Sequence, residues 1–162
     1  MKVEVNLRGV DGVIATLKSL PAEIVSKRGG PVKLALAKGA RLIRDEAKKN
    51  LRRAIAMNGD ESTGLLEKNV ISSRGKPPST GKGERYLVRV RRKTYPGKKG
   101  KPVTTRATAS FLEYGTEDQP ATPWLRPAVR QHGEAVINVI TQDLNKRIEK
   151  VVAELGAKNR SK

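Results

Sequence analysis

The chain has 162 residues, with 34 lysines and arginines against 16 aspartates and glutamates, which gives a formal net charge of +18. That length suits one domain with a modest core, and so basic a surface usually faces a polyanion or an acidic protein. Cysteine is absent, which excludes disulfides, thiolate chemistry and cysteine-ligated zinc. No run of about 18 apolar residues occurs and the start alternates polar and apolar side chains, so we expect neither a membrane span nor a signal peptide.

The first part of the chain predicts a strand and two helices. Lys2 to Leu7 alternates apolar and polar residues, as a half-buried strand does, and Asp11 can cap a short helix after it. A long helix over about 31–56 begins with proline after two glycines, and Asn58-Gly59-Asp60 closes it as a turn. Its apolar face recurs every three or four positions, at Leu36, Ala40, Ile43, Ala47, Leu51 and Ala54.

The middle of the chain predicts a long basic hairpin. Leu65 to Ile71 is a weak strand pattern, and Arg85 to Lys93 alternates with Tyr86, Val88 and Val90 on one face. Thr104 to Tyr114 is predicted as the partner strand, and residues 72–83 and 95–103 as flexible loops. From residue 74 to residue 106 there are 12 lysines and arginines against one acid. The residues of this basic arm that we expect to contact a partner are Arg85, Arg89, Arg91, Arg92, Lys98, Lys99 and Lys101.

Two interpretations of the basic arm stay open. It is either a solvated pair of loops without a dedicated partner, or a surface that binds DNA phosphate or an acidic protein with an affinity that falls as salt rises. Base-specific recognition is not favoured, because no recognition helix and no aromatic stacking platform interleaves with the charges.

The last predicted element is a helix over about 124–155, with Val136, Ile140, Leu144, Ile148, Val151 and Leu155 at helical spacing. At 1.5 Å per residue it would be roughly 45 Å long, more than a domain of this size needs for its own core. The elements together predict an α+β fold, in which a small antiparallel sheet with the basic hairpin packs against the two long helices. We expect one domain over residues 1–162, with a frayed basic C-terminus.

No set of residues in the sequence supports catalysis. His132 is the sole histidine, so neither a two-histidine metal site nor a histidine-activated nucleophile with a second imidazole can be built. Asp45 and Glu46 are neighbours that diverge by about 100° on a helix, so they cannot share a proton. Residues 75–83 superficially suggest a phosphate-binding loop, but the spacing is wrong and Gly83 replaces the required hydroxyl. We predict no enzyme, no cofactor and no metal site.

The chain's only phenylalanine and only tryptophan lie close together, although aromatic residues make up just 3% of the sequence. Rings carry the largest apolar area available to a core or an interface, so this stretch is predicted to form a packed corner before the last helix. We call its residues the corner segment: Phe111, Leu112, Glu113, Tyr114, Gly115, Thr116, Pro123, Trp124, Leu125, Arg126 and Pro127.

The corner segment resembles the signature of the tail-completion proteins of long-tailed phages, a family similar to minor tail protein Z of lambda-like phages. Members usually carry an acidic residue, an aromatic residue, Gly and Thr, then Pro, an aromatic residue, Leu, Arg, Pro and Ala. Residues 113–116 and 123–128 fill those places. Weaker similarities cover Val3 to Leu7 and the segment Thr63-Gly64-Leu65-Leu66.

The resemblance implies a structural virion protein of the phage neck that completes the tail so that it can join the head. It implies a homo-oligomeric ring, with six copies because such tails have six-fold symmetry. Its partners would be neighbouring neck and tail proteins, such as a tail terminator and a head-closure or connector protein, with contact to passing DNA as a further option. The protein would assemble in the host cytoplasm and end in the virion.

Within that hypothesis, Phe111, Leu112 and Trp124 are expected to anchor the core, and Gly115 to adopt a backbone angle that side chains resist. Glu113 and Arg126 could pair across the turn or with a neighbouring subunit, and an exposed pair would contribute about 0–1 kcal/mol. The alternative hypothesis is a small basic nucleic-acid-binding protein, which size and charge alone would allow. It gives no reason for the scarce rings to gather beside a Gly-Thr turn and two prolines.

Overall fold

The computed structural model describes residues 30–76, 83–96 and 102–160. The fold over these ranges is α+β, as predicted, with a two-stranded antiparallel sheet packed against the first of two long helices and the second long helix packed along the first. The elements in chain order are α1 (Pro31–Met57), α2 (Leu65–Asn69), β1 (Val70–Arg74), β2 (Tyr86–Val90), α3 (Thr105–Tyr114) and α4 (Leu125–Arg160). The predicted N-terminal strand and short helix, and the tips of both predicted loops at 77–82 and 97–101, lie outside the described residues.

Helix α1 has clear start and stop signals in the sequence. Pro31 occupies the first turn, where a missing N–H costs nothing. At the other end Gly59 has a φ of +70°, and its N–H donates to the carbonyl oxygen of Ala56 at 3.1 Å. The N–H of Asp60 donates to the carbonyl oxygen of Ile55 at 3.3 Å, which completes a Schellman cap. The predicted turn after the helix is confirmed.

Helices α1 and α4 lie antiparallel. Val32 and Ala35 near the start of α1 pack with Leu144, whereas Asn50 near its end donates from Nδ2 to the carbonyl oxygen of Trp124 at 3.2 Å. Between these contacts Gly39 brings the helices close together, since a Cβ there would lie 2.5 Å from Cδ1 of Ile140. The 36 residues of α4 span about 54 Å, so this helix continues past the start of α1.

The main core lies where the second half of α1 meets the sheet and the corner. Its buried members are Ala47, Leu51, Ala54, Leu66, Val70, Val90, Ala109, Leu112, Trp124, Leu125 and Ala128. A smaller apolar cluster lies between the first half of α1 and the middle of α4. Val136 and Leu144 of the predicted α4 stripe are buried, while the side chain of Leu155 is outside the described part. None of the described helices is both long and apolar enough to cross a membrane.

The hairpin prediction was wrong about which strands pair. The partner of β2 is β1, with Val70 opposite Val90 and Arg74 opposite Tyr86. The predicted strand at 65–71 begins instead as the helical turn α2, becomes extended only at Val70, and runs to Arg74 into the predicted loop. Leu66 and Val70 are four residues apart, a spacing that puts two side chains on one face in a strand as well as in a helix, so the local pattern did not decide between them. The predicted alternation of β2 is confirmed: Leu87 and Arg89 are exposed and Val90 is buried.

Residues 105–114 form helix α3 rather than the predicted strand. The hydroxyl of Thr104 accepts from the N–H of Ala107 at 3.4 Å and caps the helix. Thr105, Ala109 and Leu112 are buried, which is the 3.6-residue period of one helix face. Several threonines favoured a strand by propensity, but tertiary packing overrides so weak a preference. Of the predicted pairing, a single bridge between Thr94 and Thr104 remains among the residues that the structure describes.

Candidate functional site

The corner between α3 and α4 is built around the carboxylate of Glu113, which is completely buried. Its Oε2 accepts hydrogen bonds from the backbone N–H groups of Trp124 at 2.9 Å and Leu125 at 2.8 Å. Its Oε1 accepts from the backbone N–H of Arg126 at 3.1 Å and from the Nε of the same arginine at 2.8 Å. The last residues of α3 thus cap the start of α4 through one side chain.

The cap satisfies the whole start of α4. The first four N–H groups of a helix have no partner within it. The backbones of Trp124, Leu125 and Arg126 supply three of these groups, all bound to Glu113, and the fourth position is Pro127, which has no N–H. The carboxylate also lies at the positive end of the α4 dipole, which stabilises its negative charge. This explains why proline follows the Trp-Leu-Arg sequence without cost.

Glu113 is ionised in the folded protein. Burial by itself raises the pKa of this carboxyl, but the hydrogen bonds from Leu125, Trp124 and Arg126 together outweigh it and hold the pKa below its ordinary value. Arg126 completes the pair by donating from Nη2 to the carbonyl oxygen of Glu113 at 2.8 Å. The predicted Glu113 to Arg126 pair is therefore formed across the turn within one chain, with its acid buried rather than exposed.

Trp124 and Leu112 are buried, as predicted, at 1% and 4% exposure. The indole Nε1 of Trp124 donates to the carbonyl oxygen of Ala109 at 3.2 Å, so the ring is fixed against α3 as well as buried. Thr122 donates its N–H to the carbonyl oxygen of Leu112 at 2.8 Å and closes the turn from the other side. Leu125 is buried beside them, while Pro123 remains exposed.

The prediction that Phe111 anchors the core is wrong, because its side chain is 46% exposed. The buried face of α3 is formed by Thr105, Ala109, Leu112 and Glu113, and at about 100° per residue Phe111 lies on the opposite side of the helix. Tyr114, three positions later on the same side of α3, is 48% exposed. The guanidinium carbon of Arg126 lies 5.0 Å from the centre of the Tyr114 ring, a cation–π contact.

Gly115 has a φ of +80° and a ψ of 179°, a region that only glycine adopts readily. A Cβ at this position would lie 2.9 Å from both the backbone nitrogen of Ala121 and the carbonyl oxygen of Gln119. The prediction of a special backbone angle is confirmed. Thr116 then forms a short turn, its Oγ1 accepting from the N–H of Gln119 at 3.1 Å.

The basic arm is only partly described. Arg85, Arg89, Arg91 and Arg92 are exposed, whereas Lys98, Lys99 and Lys101 lie outside the described residues. Within the described ranges none of these four arginines forms a salt bridge. Sequence reasoning missed one residue that positions this arm. Thr105 is completely buried, and its Oγ1 donates to the carbonyl oxygen of Arg91 at 2.7 Å and accepts from the N–H of Lys93 at 2.9 Å.

In residues 30–76, 83–96 and 102–160 no group of three or more histidine, cysteine or acidic side chains is arranged to hold a metal ion. His132 lies on α4 with its Nε2 3.6 Å from Oε2 of Glu46 on α1. Comparison with protein-family models, with curated proteins and with solved structures finds no match. The resemblance to phage tail-completion proteins therefore depends on the corner segment itself.

Proposed function

We propose that this protein is a structural subunit of a phage neck, a tail-completion protein that forms a ring of six copies. In that role it completes the tail and supplies a surface through which the tail joins the head. One observation carries the proposal: Glu113, Trp124, Leu125, Arg126 and Pro127, which carry the resemblance, take part in one helix cap.

This cap gives the signature a structural cause. The acid must precede the tryptophan by a turn long enough to double back. Gly115 is required in that turn because a Cβ there would lie 2.9 Å from backbone atoms of Gln119 and Ala121. A general acid or base needs a lone pair or a proton free for a substrate. The carboxylate of Glu113 already accepts four hydrogen bonds, so it serves architecture rather than a reaction. We therefore propose a role without catalysis.

A second candidate, a small basic nucleic-acid-binding protein, is favoured by the exposed arginines of the arm. Arg85, Arg89, Arg91 and Arg92 lie in or beside β2 and have no acidic partner among the described residues. Such a surface would bind phosphate with a strong dependence on salt. This candidate leaves the corner segment without a purpose beyond stability.

The experiment that separates the two candidates is an amber mutant of the gene in its phage, examined by electron microscopy of lysates. The neck role predicts filled heads and separate tails that fail to join, or tails with irregular head-proximal ends, while DNA replication and packaging proceed. The nucleic-acid role predicts altered DNA levels or packaging before any defect in joining. Normal joined particles, or empty heads with intact necks, would contradict the neck proposal. Particles recovered from a complemented mutant should contain the protein in the virion.

A further inference from the structure

Helix α3 exposes two of the chain's five aromatic rings on one side. Phe111 and Tyr114 are 46% and 48% exposed and stand three residues apart, so they form one surface. Large exposed rings that lie side by side are characteristic of protein interfaces, where aromatic residues are enriched. In a chain so poor in aromatic residues, leaving two in water at the corner points to a partner surface.

The residues that follow these rings are acidic. Glu117 and Asp118 are consecutive and exposed, and neither forms a salt bridge within the described part of the chain. The nearby charge of Arg126 is compensated by Glu113. In a protein of net charge +18, the corner therefore has a local charge opposite to that of the molecule. We call Phe111, Tyr114, Glu117 and Asp118 the acidic aromatic patch.

The outer side of β2 has the complementary properties. Leu87 and Arg89 are exposed on the same face of the strand, and Arg91 continues that face beyond its end. Leu87 is 40% exposed, so an apolar side chain stands beside the guanidinium groups. Arginine pairs with carboxylates and stacks on aromatic rings, the two chemistries of the acidic aromatic patch. We call Leu87, Arg89 and Arg91 the basic hairpin face.

The two surfaces lie at opposite ends of α3. The helix begins where Thr105 hydrogen-bonds to the backbone of Arg91, beside the basic hairpin face, and it ends at Tyr114. Its ten residues separate the two ends by about 15 Å. Two different surfaces that complement each other on one chain create a head-to-tail contact, which closes into a ring when the rotation permits.

We propose that the acidic aromatic patch of one copy of this chain binds the basic hairpin face of the next copy. This inference rests on the proposed ring and names the two surfaces that form it. A second copy fits better than DNA, because duplex DNA on the basic hairpin face would leave the exposed rings and acids of the patch without a partner. Each surface joins apolar area to charge, as protein interfaces do.

Charge reversal tests the contact, with complementation of the amber mutant as the readout. The patch variant carries Glu117→Arg and Asp118→Arg, and the hairpin variant carries Arg89→Glu and Arg91→Glu. Either variant by itself carries charge of the same sign on its patch and on its hairpin face, so neither should restore plaque formation by the amber mutant. Expressed together they offer two matched interfaces, and we expect plating to recover with rings in which the variants alternate. The control carries Asp60→Arg and Glu61→Arg, another consecutive exposed acidic pair, and should complement as wild type does.

Each outcome decides between the proposals, provided that the purified variants melt as wild type does. Recovery by the two variants together supports the contact. If both complement alone, or if two failing variants do not recover together, the inference is overturned and the neck role stands. If only one of the two variants fails, its surface acts without the other, which overturns the inference. A loss of DNA affinity in a failing hairpin variant would then identify DNA as the occupant of the basic hairpin face. If the amber mutant needs no complementation, the proposed function itself fails.

Discussion

Replacing Glu113 with glutamine tests the helix cap directly. The substitution keeps the size of the side chain and removes its charge. A glutamine has one acceptor oxygen where the carboxylate has two, so its amide nitrogen must face either the N–H groups of Trp124 and Leu125 or the donors of Arg126. At least one pair of donors loses its acceptor, and the arginine loses its counter-ion.

The expected loss of stability is large for a single atom exchange. Leaving a buried donor without its acceptor costs about 1–3 kcal/mol. Arg126 keeps 36% of its side chain exposed, so water compensates part of the lost ion pair and the larger cost of an isolated buried charge does not apply. For a chain of this size 1 kcal/mol lowers the melting temperature by about 2–4 °C, so we expect a decrease of about 2–12 °C. Thermal unfolding followed by circular dichroism at neutral pH and fixed protein concentration measures it.

The matched control is Glu61→Gln, an exposed acid on the turn after α1, which should change stability by less than about 0.5 kcal/mol. A difference of 2 °C in melting temperature corresponds to about 1 kcal/mol or less of unfolding free energy. If the two variants melt within about 2 °C of each other, the assignment of Glu113 as the cap is wrong.

The pH dependence gives a second test of the same carboxylate. The pKa of Glu113 is lower in the folded protein than its ordinary value of 4.5. The contribution of this carboxylate to the free energy of unfolding is therefore complete above pH 4.5 and is lost as the pH falls through the folded pKa. Wild type and Glu113→Gln should therefore differ by a constant amount at neutral pH and converge in acid. The other acids with lowered pKa values, Glu46, Glu67 and Asp143, are present in both proteins and cancel in the difference. A difference in unfolding free energy that does not change down to pH 2 would contradict the ionised cap.

Three further substitutions probe the packing around the corner and between the helices. Gly115→Ala should destabilise the fold by about 1–3 kcal/mol and by more than Gly59→Ala. Both glycines have a positive φ, but of the two only Gly115 would place an added Cβ against backbone atoms. Equal losses of unfolding free energy in urea would contradict this. Gly39→Val should force α1 away from α4 and cost about 1–3 kcal/mol, and an unchanged urea midpoint would show that Ile140 simply moves aside. Thr105→Val should cost about 1–3 kcal/mol, because it removes two partly buried hydrogen bonds to the backbone of Arg91 and Lys93, just after β2. Faster amide hydrogen exchange at Lys93 should accompany the loss, and unaltered exchange there would count against the role of the hydroxyl.

Local sequence determined the elements whose signals do not depend on the rest of the chain. Pro31 and the Gly59 turn mark both ends of α1, and the apolar spacing of α4 predicts a helix whatever packs against it. Gly115 was expected to hold a backbone angle that side chains resist, and its φ of +80° with a ψ of 179° is one that glycine alone adopts readily. The opposite charges of Glu113 and Arg126 indicated a pair, but the sequence left open whether it forms across the turn or between subunits, and the structure places it across the turn.

Tertiary structure decided what local pattern left ambiguous. Residues 105–114 contain enough threonine for a strand, but α3 is the helix that buries Ala109 and Leu112 beside Trp124 and brings Glu113 to α4. That choice also exposed Phe111, because it lies on the side of α3 opposite the buried face that contains Ala109, Leu112 and Glu113. The pairing of β2 with β1 and the complete burial of Glu113 depend on contacts between segments distant in sequence. Such contacts form because they lower the free energy of the whole packed core. That free energy depends on several segments at once, so the pattern of one segment does not predict it.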